Sequence, residues 1–210
     1  MIELFGSALV TFLVIIDPPG CAPIFASLTR GTTAANRRAM AIRSSLIAWV
    51  VLMFFALLGR PMLDALGISL ASFRIAGGVM LFMIALDMVF ERRTQRREQR
   101  AQSIEGTPEA EDISVFPMAI PMISGPGSIA SAMLWVSRAE DPVHIAVVLA
   151  AITAVMLLTL VTLLAAGPLM KLIGEKIEAM ITRILGVILA ALAAQFIVDG
   201  LKQSFPNALG

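Results

Sequence analysis

The chain is poor in the residues that most protein chemistry requires. Among its 210 residues it has one cysteine, Cys21, and one histidine, His144. A single cysteine excludes an internal disulfide and any thiol-disulfide mechanism that needs a pair within the chain. His144 stands beside Glu140 and Asp141, without the further ligands that a metal site requires. Charge is scarce: 15% of the residues are Asp, Glu, Lys or Arg, against about 25% in an ordinary soluble domain. The sequence contains no P-loop, which argues against ATP as an energy source. Its opening lacks the basic stretch of a secretory signal, since Glu3 is the only charge there. The prolines before Cys21 also argue against lipoprotein processing at that cysteine.

What fills the chain is apolar, 58% of the residues, gathered into long runs. A helix needs about 20 apolar residues to cross the ~30 Å hydrocarbon core of a bilayer. Six runs reach that length, at about 3–27, 40–59, 69–90, 113–135, 143–166 and 178–200. The reading is an all-α integral membrane protein with six transmembrane helices. Only one long polar linker interrupts them. It begins FERRTQRREQRAQ, whose Arg92, Arg93, Arg96, Arg97 and Arg100 are expected to extend the third helix into water, beside anionic lipid. It ends in the acidic loop IEGTPEAED.

Basic residues set the orientation. Arg30, Arg37, Arg38 and Arg43 follow span 1, the five arginines of the linker follow span 3, and Lys171 and Lys176 follow span 5. The opposite side carries only Arg60, Arg138 and Lys202. Because cytoplasmic loops collect Lys and Arg, both termini are expected outside the cytoplasm.

The chain also resembles itself. Pro19-Gly20 answers Pro126-Gly127 at an offset of 107, and Gly67 answers Gly174 at the same offset. Gly59 and Pro61 correspond to Gly167 and Pro168. SFRIAGGVML answers ITRILGVILA, with Arg74 on Arg183 and Gly77 on Gly186 at an offset of 109. This divides the protein into a first three-span repeat at 1–90, a cytoplasmic linker at 91–112 and a second repeat at 113–210. An odd number of spans per repeat inverts the second against the first, an architecture frequent among secondary transporters.

Two spans carry helix breakers. IIDPPGCAPIF puts Asp17, Pro18, Pro19, Gly20 and Pro23 in span 1, and span 4 has Pro117, Pro121, Gly125, Pro126 and Gly127. Proline removes an N–H and clashes with the preceding turn, so helices 1 and 4 are expected to break near the bilayer middle. Irregular backbone is tolerated there only where protein or a wet cavity satisfies it, so the two breaks point to one central cavity. The free N–H groups at a half-helix start suit a carboxylate, and the free carbonyls at a half-helix end suit an ammonium or a coupling cation. Asp17 either marks a substrate or ion path or caps the second half-helix, and both roles are compatible. Ser124 and Ser128 flank the second break, as hydrogen-bond donors or as packing residues. Arg74 and Arg183 brace helix ends or take part in gating. Gln195 lies deep enough to line a cavity, while Asp199 lies near the outer surface, within reach of Lys202.

DPPGCAPIF, IPMISGPGSIA, GISLASFRIAGG and ITRILGVILAALAAQFIVDG together resemble the MarC family of bacterial inner-membrane proteins, which includes the SnatA-type transporters of small neutral amino acids. The resemblance runs from the first break to about Gly200. It implies a multi-pass protein of the bacterial inner (plasma) membrane that moves glycine, alanine or a similar solute by alternating access. Its first break would correspond to Asp17, Pro18, Gly20 and Pro23, its second to Gly125, Pro126 and Gly127, and its paired arginines to Arg74 and Arg183. Cys21 stands where that family commonly has asparagine, and Pro19 where an aliphatic residue is frequent. Substrate contact at Cys21 is therefore a point where specificity here could differ.

No cofactor is expected, with a proton or sodium ion open as the coupling species. No nucleic-acid partner is expected, and oligomeric state is not legible. An enzyme is disfavoured: SGPGS at 124–128 has a superficial likeness to an intramembrane serine protease loop, yet the only histidine lies near the outer end of span 5. The alternatives kept are a carrier or channel for another small solute, or an accessory membrane subunit.

Overall fold

The computed structural model describes residues 1–104, 112–139 and 141–205. Among them there are helices and no strand. In chain order these are α1 (Ile2–Ile16), α2 (Pro18–Leu28), α3 (Ala34–Ala65), α4 (Leu70–Val89) and α5 (Arg92–Ile104). A kinked segment with isolated i→i+5 hydrogen bonds, the π segment (Ser114–Ile123), follows, then α6 (Pro126–Ser137), α7 (Pro142–Leu164) and α8 (Ala166–Ser204). Most of the acidic loop before Asp112, together with Glu140, lies outside the described residues.

Five stretches are long and apolar enough to cross a membrane: Ile2–Leu28, Ala34–Ala65, Leu70–Val89, Pro142–Leu164 and Ala179–Ser204. The π segment and α6, bent by 55° across a short break, make a sixth if they are taken as one span. These follow the six apolar runs of the sequence closely. Side-chain caps start several of the helices: Thr33 accepts from the N–H of Asn36, Ser69 from Ser72 and Asp141 from His144.

Burial ranks the spans. Of the most apolar window in Ile2–Leu28, 72% is buried, against 28–44% in the other four single-helix spans. The first span and the bent pair at 114–137, mostly buried from Met118 to Trp135, thus form the centre of the molecule, and the other four turn an apolar face outward through residues such as Phe54, Met83, Leu157, Val161, Ile184 and Val187. An outer face of that kind suits lipid.

The closest helix pair is α4 with α8, and small residues make it so. A Cβ built on Gly78 would come within 2.9 Å of the Ala193 carbonyl oxygen, on Gly200 within 2.9 Å of Ala71, and on Gly186 within 3.1 Å of Ala85. The order of partners reverses along the chain, so the helices are antiparallel. Each contact sets one glycine against one alanine, seven residues apart along both helices, the spacing of a coiled-coil seam. Lipid offers no hydrophobic drive for such pairing, and close backbone approach through small residues supplies the van der Waals contact instead. α6 reaches the same centre, with Leu134 against Gly77 of α4 and Met133 against Gly59 of α3. The α3–α7 contact includes a hydrogen bond of 3.1 Å from Trp49 Nε1 to Thr153 Oγ1.

The linker arginines depart from the sequence reading. They do not prolong α4. Its last turn is closed by hydrogen bonds from Phe90 N–H to Leu86 O and from Glu91 N–H to Met88 O, with Glu91 in the left-handed region at φ 59°. A left-handed residue ends a helix and redirects the chain. Here it starts a separate helix, α5, which packs back on α2, α4 and the π segment.

Replacing Gly78 with Leu is expected to cost about 1–3 kcal/mol through overpacking against backbone. Gly6→Leu, where a Cβ meets nothing within 4 Å, is the control. Thermal unfolding in detergent micelles checks this, and equal loss in both variants would contradict the seam.

Candidate functional site

At the middle of the first span the helix stops for one residue. Asp17, at φ 56° and ψ 66°, is at once the C-cap of α1 and the N-cap of α2. Its N–H donates to Leu13 O at 3.0 Å, and its carbonyl accepts from Cys21 N–H at 3.1 Å. Its Oδ1 accepts from Gly20 N–H at 3.2 Å. A side chain on Gly20 would put its Cβ 2.2 Å from Asp17 Oδ2, so only glycine leaves room for this cap. Pro18, at the first position of α2, has no N–H to leave unpaired. Pro23 sits farther along inside α2, and α1 and α2 together still form a single span of 27 residues.

The other carboxylate oxygen belongs to α5. Arg97 Nη1 lies 3.2 Å from Asp17 Oδ2, in a pair whose side chains are 8% and 2% exposed. Arg97 Nη2 also reaches Ile16 O at 3.5 Å and Met122 O at 3.4 Å. One turn earlier, Arg93 donates to Ile15 O and, at 3.0 Å, to Met88 Sδ. The last carbonyls of α1 lie in an apolar core, and two guanidiniums spaced i, i+4 meet them, Arg93 at Ile15 O and Arg97 at Ile16 O. Desolvation, and then repulsion from Arg97, lower Arg93 to about 10, so it remains cationic at neutral pH.

The second break is built differently. Phe116 (φ −121°, ψ 128°) and Ile120 (φ −127°, ψ 122°) are extended within the π segment, each followed by a proline, Pro117 and Pro121. A proline pushes the residue before it out of helical conformation, which accounts for the two interruptions one turn apart. α6 then starts at Pro126 with Gly125 as its N-cap and no side-chain cap. A Cβ on Gly125 would lie 2.4 Å from Pro121 O.

A cleft of about 520 Å³ opens beside this break. Gly125, Pro126, Gly127 and Ser128 form one wall, Met80, Met83, Ile84 and Asp87 of α4 another, and Arg93, Arg96 and Arg97 of α5 a third. Arg96 pairs with Asp87 near the surface. The cleft therefore combines an apolar wall, a bare helix start and three guanidiniums, a lining suited to a small solute with an anionic group.

The residues singled out in the sequence separate into distinct groups. Asp17, Pro18, Gly20 and Cys21 gather at the first break, where the buried Cys21 Sγ lies 3.5 Å from Ile16 O. Gly125, Pro126, Gly127 and Ser128 line the cleft. The hydroxyls of Ser124 and Ser128 donate to Ala119 O at 2.7 Å and Ile123 O at 2.9 Å, closing the turns around the second break. Arg74, Arg183 and Gln195 stand away from both breaks. Arg74 donates to Gln203 at 2.8 Å. Arg183 pairs with Glu91 where both side chains are exposed. Gln195 is exposed and donates to Asp199 at 2.7 Å, and Asp199 pairs with Arg138 rather than Lys202. Arg138 in turn lies 4.3 Å from the Phe196 ring centre.

The sequence reading missed Arg93 and Arg97. The available signal was their i, i+4 spacing together with a buried aspartate in need of a cation. It was hidden by a run of arginines that looks uniformly solvated.

The comparisons with known proteins bear on the whole of this architecture. The model of the MarC family, integral membrane proteins, matches residues 2–205. This chain belongs to the MarC family. Its relatives are spread across bacteria and archaea. It is 35% identical over 201 residues to the UPF0056 membrane protein MJ1677 of Methanocaldococcus jannaschii, covering 96% of this chain and 97% of that one. It is 33% identical over 195 residues to the UPF0056 membrane protein YhcE of Escherichia coli, covering 93% and 90%. With the UPF0056 membrane protein YvbG of Bacillus subtilis it shares 32% identity over 197 residues, covering 94% and 93%. No solved structure matches the chain. MarC membership thus extends over both interrupted spans and the arginine helix between them.

Removing Arg97 from this MarC protein is expected to be severe. Arg97→Ala would strand a buried carboxylate at a cost of about 3–5 kcal/mol, whereas Arg96→Ala, at an exposed pair, should cost about 0–1 kcal/mol. Unfolding of both variants in mixed micelles decides it, and similar losses would contradict the assignment of Arg97.

Proposed function

We propose that this MarC protein is a secondary transporter of small neutral amino acids of the glycine or alanine type, working across the bacterial inner (plasma) membrane by alternating access around one site between the two interrupted spans. The observation that carries the reading is that Arg97 touches acceptors from both interruptions, Asp17 and Ile16 in the first span and Met122 before α6. Two spans that give up helical backbone at the same place supply acceptors and donors for a zwitterion without any cofactor. The antiparallel α4 and α8 are the third spans of the two proposed inverted repeats, 1–90 and 113–210, and their glycine-alanine seam would be the surface on which the repeats move. Placing the arginine-rich connections in the cytoplasm leaves both termini outside. On this reading the protein is not an enzyme, and its ligand is the solute itself.

Counterflow of radiolabelled glycine and alanine into proteoliposomes tests the proposal. Saturable exchange is expected in wild type, with a loss of at least tenfold in a folded Asp17→Asn variant. No exchange across a broad amino acid panel would refute the substrate class, and flux that never saturates would favour a channel.

A further inference from the structure

The contact between Arg97 and the first break is buried but geometrically poor. Charge-assisted N–H···O bonds in proteins run at about 2.7–2.9 Å, and arginine meets carboxylates best as a two-bond fork. Here the guanidinium makes a single 3.2 Å contact with Asp17 Oδ2, and its second nitrogen is shared between Ile16 O at 3.5 Å and Met122 O at 3.4 Å. A planar fork thus faces three acceptors that come from different segments. An ammonium group has three donors in a pyramid and is far more compact. Such an acceptor set suits it better than it suits a guanidinium.

Arg97 is also carried on a helix that is exposed along its outer side, through Arg92, Gln95, Arg96, Glu98 and Gln99, and that Arg93 ties to Ile15 O. α5 is joined to α4 by the turn at Phe90–Glu91, its Arg96–Asp87 pair is at the surface, and Arg93, Arg96 and Arg97 line an open cleft. Withdrawal of Arg97 alone would strand Asp17, which is 1% exposed, as an unpaired buried carboxylate. Withdrawal coupled to the arrival of another cation would not.

We propose that Asp17 Oδ2 and the carbonyl oxygens of Ile16 and Met122 form a subsite for a primary ammonium group, and that Arg97 of α5 fills it in this structure as a tethered competitor. In the transporter reading, on which only its biological use rests, the ammonium of the substrate displaces Arg97, and Arg97 returns when the substrate leaves. Asp17 is then neutralised at every stage, so the empty protein can change state without a coupling cation.

The test is chemical rescue of the purified full chain. Arg97→Ala opens the subsite, and millimolar methylammonium chloride is expected to raise its Tm in a saturable manner, as a ligand of the native state must. Tetramethylammonium, which has no N–H, should have no effect beyond that of sodium chloride. Wild type, with Arg97 in place, and Arg97→Ala/Asp17→Asn should not respond to either. If Arg97→Ala is too unstable to purify, Arg97→Gln takes its place in the same titration. Absence of rescue, or equal rescue by tetramethylammonium, would overturn the subsite. A second arm uses transport: Arg97→Gln should lower the KM for glycine several-fold in counterflow and slow net efflux, whereas a merely structural arginine would leave the KM unchanged. Rescue without glycine counterflow in wild type would keep the subsite and move the substrate to another primary amine. Counterflow without rescue would keep the transporter and remove the subsite.

Discussion

A span that crosses lipid must satisfy its own backbone, and the centre of the candidate site follows from the one residue where that rule is hardest to obey. Asp17 meets it by using each of its polar groups: the N–H closes α1, the carbonyl starts α2, one carboxylate oxygen caps Gly20 and the other takes Arg97. A buried carboxylate is costly unless it is both hydrogen-bonded and paired with charge, and here it is both. The demand for a cation then explains why one residue of a polar, mostly exposed helix, Arg97, is turned inward. α5 is the nearest source of guanidiniums, and the left-handed Glu91 turns the chain so that they reach the carbonyls at the end of α1.

Two ion pairs of the bundle are held in contrasting ways. Arg97 and Asp17 form a pair enclosed by α1, α2 and the π segment. Arg138 and Asp199 form a partly open pair, with Arg138 over Phe196 and the Gln195 amide on the same carboxylate. Desolvation holds the Arg138 guanidinium below its ordinary range, with Asp199 opposing that effect. The glycine-alanine contacts of the α4–α8 seam add dispersion, where a single added methyl group meets backbone, beside the hydrogen bond from Arg74 to Gln203.

The spans were legible because lipid imposes a simple requirement, and runs of apolar residues answer it directly. Both interruptions were legible too as positions, since Pro18, Gly20, Pro121 and Pro126 cannot all sit inside one regular helix. Their form was not. The first interruption is confined to Asp17, so that α1 and α2 remain one span, whereas the second spreads over the extended Phe116 and Ile120 and a 55° bend. That difference depends on which donors and acceptors nearby segments supply. Charged side chains were the least legible. Arg93 and Arg97 lie in the same run as Arg92 and Arg96, and only tertiary packing tells a buried guanidinium from a solvated one. Gln195 looked deep from its place in the last span, yet its face of α8 is exposed and its partner is Asp199. Depth along a span does not fix the direction a side chain takes around it.

The central claim is that Arg97 holds the place of a substrate ammonium at Asp17. The most direct measurement is the nitrogen-15 NMR signal of the Arg97 guanidinium in lipid nanodiscs, assigned by its loss in Arg97→Gln. The account predicts a signal whose N–H protons exchange slowly with water, with exchange becoming fast in Asp17→Asn and on addition of saturating glycine. A guanidinium already in fast exchange in the wild type, and indifferent to both changes, would contradict it.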